Sequence, residues 1–161
     1  MGLNYVTDQG NRVDMSYTQI FYHIVFSTKH REPVLLPEGQ PELLKYIWGT
    51  IKNKDCHLYR INAVEDHLHI FSNLHPSVDL AAYIKAMKVS SSKWIKERGL
   101  FPGFHNWQDK YGAFTHSFVE KHRLIEYVKN QQEHHKTESF IDEFRRLLDE
   151  AGIIYEPKYL D

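Results

Sequence analysis

Two strand-like runs, HLYRINA at 57–63 and HLHIFSN at 67–73, are separated by only three residues. Such a short connection suits an antiparallel hairpin. Residues i and i+2 share one face of a strand, so His67 and His69 can point at one ion while Leu68 and Ile70 point into the core. With 11 histidines in 161 residues, however, His-x-His alone is weak evidence for a metal site, and two core histidines are the alternative.

The rest of the chain alternates strand-like and helical patterns around this hairpin. A first strand is predicted over residues 17–28 and a fourth over 112–119. Helices are predicted from Pro41 with a stripe of Leu44, Ile47, Trp48 and Ile51, over 78–98 between Ser77 and Gly99, over 120–135, and over 139–151. The order βαββαβ followed by extra helices predicts an α+β protein with a ferredoxin-like antiparallel sheet and additional C-terminal helices.

Length and composition indicate one ordinary globular domain. We expect residues 1–14 to form a flexible N-terminal extension and residues 15–161 to form a single domain. The N-terminus lacks an apolar signal segment, and the single Cys56 cannot form an internal disulfide, so we expect a cytoplasmic protein with no membrane partner. A formal net charge of −1 argues against a protein that coats duplex DNA, so any nucleic-acid binding must be local.

The third predicted helix offers chemical groups that the hairpin lacks. Tyr127 and Gln131 are spaced i and i+4, so a phenol and an amide lie one turn apart on a common face. Taken alone, Tyr127 is better interpreted as an amphipathic tyrosine at the edge of a helix. His134 and His135 are adjacent and point about 100° apart, so they cannot easily share one ion. His23, between apolar strand residues, is interpreted as a hydrogen-bonded core histidine.

Four motifs in order make the chain similar to a known family. They are TQIFYHIVFSTKHREPVL, DHLHI, WQDKYGAFTHS and YVKNQQEHH. From residue 15 to the C-terminus the chain resembles the HUH-type single-tyrosine transposases of small bacterial insertion sequences, including their repeat-associated relatives. The resemblance implies that His67, His69 and Gln131 bind a catalytic Mg²⁺ or Mn²⁺ and that Tyr127 is the nucleophile. It also implies a two-fold homodimer acting on single-stranded, hairpin-containing DNA ends. In the resembled family the histidine pair of one subunit meets the tyrosine helix of the other, and the separate placement of the two motifs in this chain permits such shared sites.

These residues suit such chemistry. Two neutral imidazoles and a neutral amide leave a divalent ion its full charge, so a DNA phosphate should complete the shell and couple metal binding to DNA binding. Tyr127 would attack phosphorus and leave a 5′-phosphotyrosine and a free 3′-hydroxyl, which a second 3′-hydroxyl can rejoin without nucleotide fuel. No general base for the tyrosine can be identified from the sequence.

Contacts with DNA are less sharply marked. Lys85, Lys88 and Lys96 lie on one face of the second helix and could follow a phosphate backbone, although a solvated lysine face is an equal alternative. The aromatic residues of loop 99–112 could stack on bases, but most are expected to pack over the sheet. A noncatalytic single-stranded nucleic-acid-binding module remains the alternative function, because four-stranded sheets of this topology bind RNA in other families. Such a module would not need the histidine and tyrosine constellation.

Overall fold

The computed structural model describes residues 17–160, so the predicted extension at 1–14 lies outside the described residues. The described chain forms four strands and five α-helices. The strands are β1 (Phe21–Ser27), β2 (His57–Ala63), β3 (His67–Asn73) and β4 (Gly112–His116), and the helices are α1 (Gln40–Lys52), α2 (Leu80–Arg98), α3 (Lys121–Lys129), α4 (Gln131–His134) and α5 (Phe140–Glu150). The strands form one antiparallel sheet in the order β2-β3-β1-β4, so the predicted ferredoxin-like α+β fold is confirmed.

The two faces of the sheet differ in what covers them. On one face, Ile24, Phe26, Leu68 and Ile70 pack with the buried residues of α1 and α2 in the main core. The register pairs Val25 with His69, so these two residues share the opposite face with their alternate neighbours. Helices cover both faces of the sheet, and β3 is therefore buried along almost its whole length.

The C-terminal helices cover the face that carries the two histidines. Leu124 and Val128 of α3 pack against Phe21 and Phe71 of the sheet. A second cluster joins Val25 and Phe114 of the sheet to buried residues of α5, namely Phe140, Leu147 and Leu148. The histidine pair therefore lies between the sheet and the C-terminal helices.

Several predicted boundaries of helices and strands are wrong by a few residues, each for a local reason. Helix α2 begins after Asp79, whose carboxylate accepts a hydrogen bond from the Ala82 amide at 2.8 Å, and not after Ser77. The Ser77 hydroxyl is 2.7 Å from Nδ1 of His75 and is therefore already engaged. Strand β4 ends at His116 because Ser117 opens a 3₁₀ helix (Phe118–Glu120) through a capping box with Glu120.

Two predicted helices also differ in detail. The helix predicted over 120–135 is divided at Asn130 into α3 and α4. In α1, Leu43 is buried with Ile47 and Ile51, whereas the predicted stripe residue Trp48 is 52% exposed.

The aromatic loop packs mainly as expected. Phe101, Phe104 and Trp107 are buried in the main core, and the Trp107 indole donates a hydrogen bond to the Ser91 hydroxyl at 2.9 Å. None of the helices in the described range has the length and apolar character needed to cross a membrane.

Candidate active site

His67 and His69 on β3 point the same ring nitrogen into one buried space. Both side chains are fully buried. Nδ1 of His67 lies 2.6 Å from the Asp66 carboxylate, and Nδ1 of His69 lies 2.9 Å from Nε2 of His23. With each Nδ1 engaged, Nε2 of each ring is left facing the α5 side of the sheet, which is the arrangement typical of metal-binding histidines. The interpretation of His23 as a hydrogen-bonded core histidine is confirmed, and its partner is His69.

A carboxylate from α5 enters this space. Oε2 of Glu143 lies 3.3 Å from Nε2 of His67 and 3.4 Å from Nε2 of His69. Neither nitrogen makes an aligned hydrogen bond to any described residue. Glu143 is 3% exposed although it is charged, and it lies on the same buried side of α5 as Phe140 and Leu147. A buried carboxylate held against two imidazoles is a costly arrangement that requires partners, and the histidines supply them.

The predicted nucleophile reaches the same carboxylate. The Tyr127 hydroxyl donates a hydrogen bond to Oε1 of Glu143, and its ring lies 6.1 Å from the His69 ring. Arg146 donates to the Tyr127 oxygen at 3.1 Å and is held by a 2.8 Å ion pair with Glu138. Tyr127, Glu143 and the histidine pair therefore meet within one chain.

Gln131 is brought to the site by α4 and is fully buried. Its Nε2 donates to Oε1 of Glu143 at 3.1 Å. Its Oε1 is also buried and makes no hydrogen bond within the described part of the chain. The break at Asn130 is held by Asn62 of β2, whose amide donates to the carbonyls of Val128 at 3.0 Å and Lys129 at 2.9 Å. This contact docks α3, the helix that carries Tyr127, onto the sheet of the same chain.

The electrostatics of the cluster follow from burial and from these contacts. Burial lowers the pKa of His69 to about 4, so this imidazole is neutral at pH 7 with a lone pair available on Nε2. Burial also disfavours the charged form of His67, but its contacts with Asp66 and Glu143 outweigh burial and raise its pKa. The pKa of the Glu143 carboxyl would rise on burial alone, yet the two histidines hold it well below its usual range.

The same reasoning applies to Tyr127. Burial, followed by the negative charge of Glu143, raises the pKa of its phenol, and the Arg146 guanidinium opposes that rise. The phenol is therefore protonated at neutral pH in this arrangement.

The donor atoms fit a divalent metal ion. Nε2 of His67, Nε2 of His69 and a carboxylate oxygen of Glu143 lie within 4.8 Å of one another, and all three residues are buried. Three buried polar atoms in or beside this space, the two imidazole Nε2 atoms and Oε1 of Gln131, are without a hydrogen-bond partner among the described residues. A metal would satisfy the two imidazole nitrogens, and the Glu143 carboxylate is a ligand type that suits Mg²⁺ and Mn²⁺. His135 belongs to a second, partly exposed group with Asp66 and His67.

The three predicted DNA-binding lysines lie on the other side of the molecule. Lys85 and Lys96 line a groove of about 730 Å³ between α2 and residues 106–111, on the side of the sheet away from Tyr127. Lys88 borders the same groove, but its ammonium donates to the carbonyls of residues 108, 109 and 110 at 2.7, 3.2 and 2.9 Å. Burial lowers the pKa of Lys88 to about 8. The ammonium group of Lys88 thus stabilises the backbone of residues 108–110, which forms one side of the groove.

Sequence reasoning missed Glu143, Arg146 and the orienting role of Asp66. One signal was present for Glu143, because it occupies a position of the apolar stripe formed by Phe140, Leu147 and Leu148 on α5. A single carboxylate on the buried side of a strongly amphipathic helix requires a buried partner. Asp66 directly precedes His67, but its contact with Nδ1 depends on the turn geometry and not on a pattern.

Comparison with known proteins agrees with this architecture. The chain is 21% identical over 122 residues to the ISDra2 transposase TnpA of Deinococcus radiodurans, which covers 71% of this chain and 86% of that protein. A solved transposase structure from Deinococcus radiodurans R1 has a TM-score of 0.59 at 22% identity and covers 75% of this chain and 98% of that one. A REP-associated tyrosine transposase bound to a REP hairpin has a TM-score of 0.55 at 14% identity, over 75% of this chain and 74% of that one.

A sequence model of the IS200-like transposases matches residues 16–131. This match covers most of the chain, including the histidine pair of β3, Tyr127 and Gln131. The chain belongs to the IS200-like transposase family.

Proposed function

We propose that this transposase cleaves and rejoins single-stranded DNA by transesterification, with Tyr127 as the nucleophile and a divalent metal bound at His67 and His69. The observation that carries the proposal is the convergence of the Tyr127 hydroxyl and both Nε2 atoms on the single carboxylate of Glu143. A noncatalytic binding module has no need for such a buried group of ionisable side chains.

The reaction exchanges one phosphate ester for another. The Tyr127 oxygen forms a bond to phosphorus, the bond from phosphorus to the 3′ oxygen breaks, and the 3′ oxygen leaves as a hydroxyl after taking a proton. When bound, Mg²⁺ or Mn²⁺ supplies Lewis-acid polarisation of a phosphate oxygen. Attack by a free 3′-hydroxyl on the phosphotyrosine reverses these bond changes and rejoins the strand.

The residues around Tyr127 prepare its oxygen for this attack. Its hydroxyl donates a hydrogen bond to Glu143, and Arg146 donates to the same oxygen. The guanidinium stabilises negative charge on the phenolic oxygen as the proton leaves, which offsets the effect of burial. Asp66 and His23 fix the orientation of the two imidazoles through their Nδ1 atoms. Gln131 is proposed as a further residue of the metal site.

We further propose that each site is built within one chain. Asn62 tethers the junction of α3 and α4 to β2, and Tyr127 contacts the histidine side of its own sheet. Two such chains can still form the two-fold homodimer that the family resemblance implies, but with each site complete in its own subunit and not shared between subunits.

For the substrate, we propose a DNA hairpin with a single-stranded flank, since one solved relative is bound to a REP hairpin. The groove lined by Lys85 and Lys96 would hold phosphates, and Lys88 would support its wall. This groove and Tyr127 lie on opposite sides of the sheet, so the lysines would anchor DNA away from the cleaved phosphate.

The test uses labelled oligonucleotides from the DNA that flanks the gene. With Mn²⁺ or Mg²⁺, the wild-type protein should form a denaturant-resistant adduct with single strands and not with the matched duplex. Tyr127→Phe should abolish the adduct, whereas the control Tyr46→Phe, on the other face of the sheet, should keep it. An adduct of normal yield with Tyr127→Phe would refute the proposal.

His67→Ala and His69→Ala should remove cleavage while hairpin binding persists, because phosphate contacts elsewhere supply most of the affinity. Full activity of the double variant in excess chelator would exclude a role for the metal. If all variants bind hairpins and no adduct forms under any condition, the binding-module alternative stands.

A further inference from the structure

Glu143 divides its two oxygens between two sets of partners. Oε2 faces the two imidazole nitrogens at 3.3 and 3.4 Å. Oε1 accepts hydrogen bonds from Tyr127 and from Nε2 of Gln131, the latter at 3.1 Å. Each oxygen of the carboxylate thus has a separate environment, and only Oε2 lies beside atoms that are free to bind a cation.

The spacing around Oε2 matches a metal coordination shell. An ion about 2.1 Å from each donor, with angles of about 90° to 110° between donors, needs donor atoms about 3.0 to 3.4 Å apart. The distances from Oε2 to Nε2 of His67 and of His69 are of this size. Both distances therefore suit an ion that is bound by Oε2 and by each imidazole nitrogen.

Gln131 is oriented differently from the third ligand that the sequence resemblance implies. Its nitrogen, and not its oxygen, points at the Glu143 carboxylate. An amide nitrogen cannot ligate a metal ion, but it can hold the second oxygen of a ligating carboxylate and fix its orientation. The arrangement makes Gln131 a positioning residue for Glu143.

We propose that Glu143 is a ligand of the divalent metal, with His67 and His69, and that its charge lets the protein bind Mn²⁺ without DNA. This inference rests on the proposed function, because it assigns the metal of that same site. A site of two imidazoles and an amide would be uncharged and would depend on a DNA phosphate. With Glu143 the ion gains an anionic ligand from the protein, and metal binding becomes separable from DNA binding.

The experiment is a titration of DNA-free protein with Mn²⁺, read from the loss of the electron paramagnetic resonance signal of free Mn²⁺. The variants are Glu143→Gln, which keeps the shape and removes the charge, and Asp149→Asn, an exposed control on the same helix. We expect Glu143→Gln to raise the Kd for Mn²⁺ at least about tenfold and Asp149→Asn to change it less than about twofold. Gln131→Ala should raise the Kd less than Glu143→Gln does.

Circular dichroism establishes that each variant is folded. If Glu143→Gln does not fold, Glu143→Asp takes its place, because it keeps the charge with a shorter reach and should give a weakened but measurable site. A Kd for Glu143→Gln at or below the wild-type value would overturn the inference, since Glu143 would then fill the space without ligating. A larger loss with Gln131→Ala than with Glu143→Gln would overturn it as well.

This result is independent of the test of the proposed function. Failure of Tyr127 to form a DNA adduct would leave the DNA-free Mn²⁺ titration unchanged. Conversely, an adduct that forms in wild type, together with normal Mn²⁺ binding by Glu143→Gln, would keep the function and remove only the role of Glu143.

Discussion

Asn62→Ala should loosen the attachment of α3, the helix that carries Tyr127, to the sheet, because Asn62 is the main polar link between them. Its Nδ2 faces three acceptors, the carbonyls of Val128 and Lys129 and Oε1 of Gln132, at 3.0, 2.9 and 2.8 Å. Its Oδ1 accepts hydrogen bonds from Nε2 of Gln132 at 2.8 Å and from the Ala63 amide at 2.9 Å. The side chain is 7% exposed, so water does not easily replace it.

The size of the effect follows from this count. An amide group has two hydrogens to donate, so Asn62 makes at most four strong hydrogen bonds at one time, two donated and two accepted. At about 1 kcal/mol for each net hydrogen bond the loss is about 4 kcal/mol. Lys129 and Gln132 are exposed and can recruit water, which reduces the expected loss to about 2 to 4 kcal/mol in the free energy of unfolding.

Urea unfolding followed by circular dichroism measures this loss. Asn53→Ala is the matched control, because Asn53 is exposed at the end of α1, and it should change stability by less than about 0.5 kcal/mol. The yield of covalent DNA adduct should fall with Asn62→Ala even in conditions where the variant is folded, since Tyr127 loses its fixed position. A stability change under about 0.5 kcal/mol together with a normal adduct yield would refute the idea that Asn62 docks this helix.

Three further outcomes are expected. Lys88→Met should cost about 1 to 3 kcal/mol in urea unfolding because three loop carbonyls lose a charged donor, whereas Lys93→Met, on the exposed face of α2, should cost under about 0.5 kcal/mol. Mixing Tyr127→Phe with His67→Ala subunits should restore no cleavage if each site is built within one chain, as we propose. Metal-free protein should lose stability from pH 7 to pH 4, because unfolded His69 and His23 take up protons that the folded rings, whose pKa values burial lowers, do not. The share of His69, with its folded pKa of about 4, is on the order of 3 kcal/mol, and the raised pKa of His67 offsets part of the loss.

Each of these has a contradicting result. Equal stability of the two lysine variants would mean that the loop carbonyls are satisfied by water. Recovery of about a quarter of wild-type cleavage in verified mixed dimers would show that sites are shared between subunits. The pH prediction fails if stability does not fall from pH 7 to pH 4. A fall that is equally large in His69→Gln would show that His69 is not a source of the pH dependence.

The hairpin and its two histidines could be predicted because they depend on local pattern. Strand periodicity placed Leu68 and Ile70 in the main core and both histidines on the opposite face, and the bounds of β2 and β3 match the prediction. The order of elements then fixed the ferredoxin-like sheet, since a short hairpin and right-handed connections leave few other arrangements.

Features that depend on distant contacts could not be predicted in the same way. The break at Asn130 arises because Asn62, 66 residues earlier than Val128, takes carbonyls that would otherwise continue the helix. Nothing in the local pattern of residues 120–135 indicates this partner. The hydroxyl of Ser77 looked like a helix cap, but its contact with His75 is a local competition that left Asp79 as the cap.

The candidate site shows the same division. Tyr127 and Gln131 were expected on a common helix face, and both reach the site, but their shared partner Glu143 follows Tyr127 by 16 residues on another helix. The carboxylate reaches the site because α5 packs over the sheet. A charged residue in an apolar stripe signals a buried partner, yet only the packing of α5 identifies the partner as the histidine pair.

The most direct test of the central claim is to find the atom that carries the DNA. A covalent adduct formed with a single-stranded oligonucleotide and Mn²⁺ is digested with nuclease and trypsin and analysed by tandem mass spectrometry. Cleavage after Arg123 and Lys129 gives the peptide of residues 124–129, in which Tyr127 is the only tyrosine. We predict that this peptide carries the residual nucleotide phosphate on Tyr127. An unmodified 124–129 peptide in purified adduct, with the nucleotide on another residue, would contradict the assignment of Tyr127 as the nucleophile.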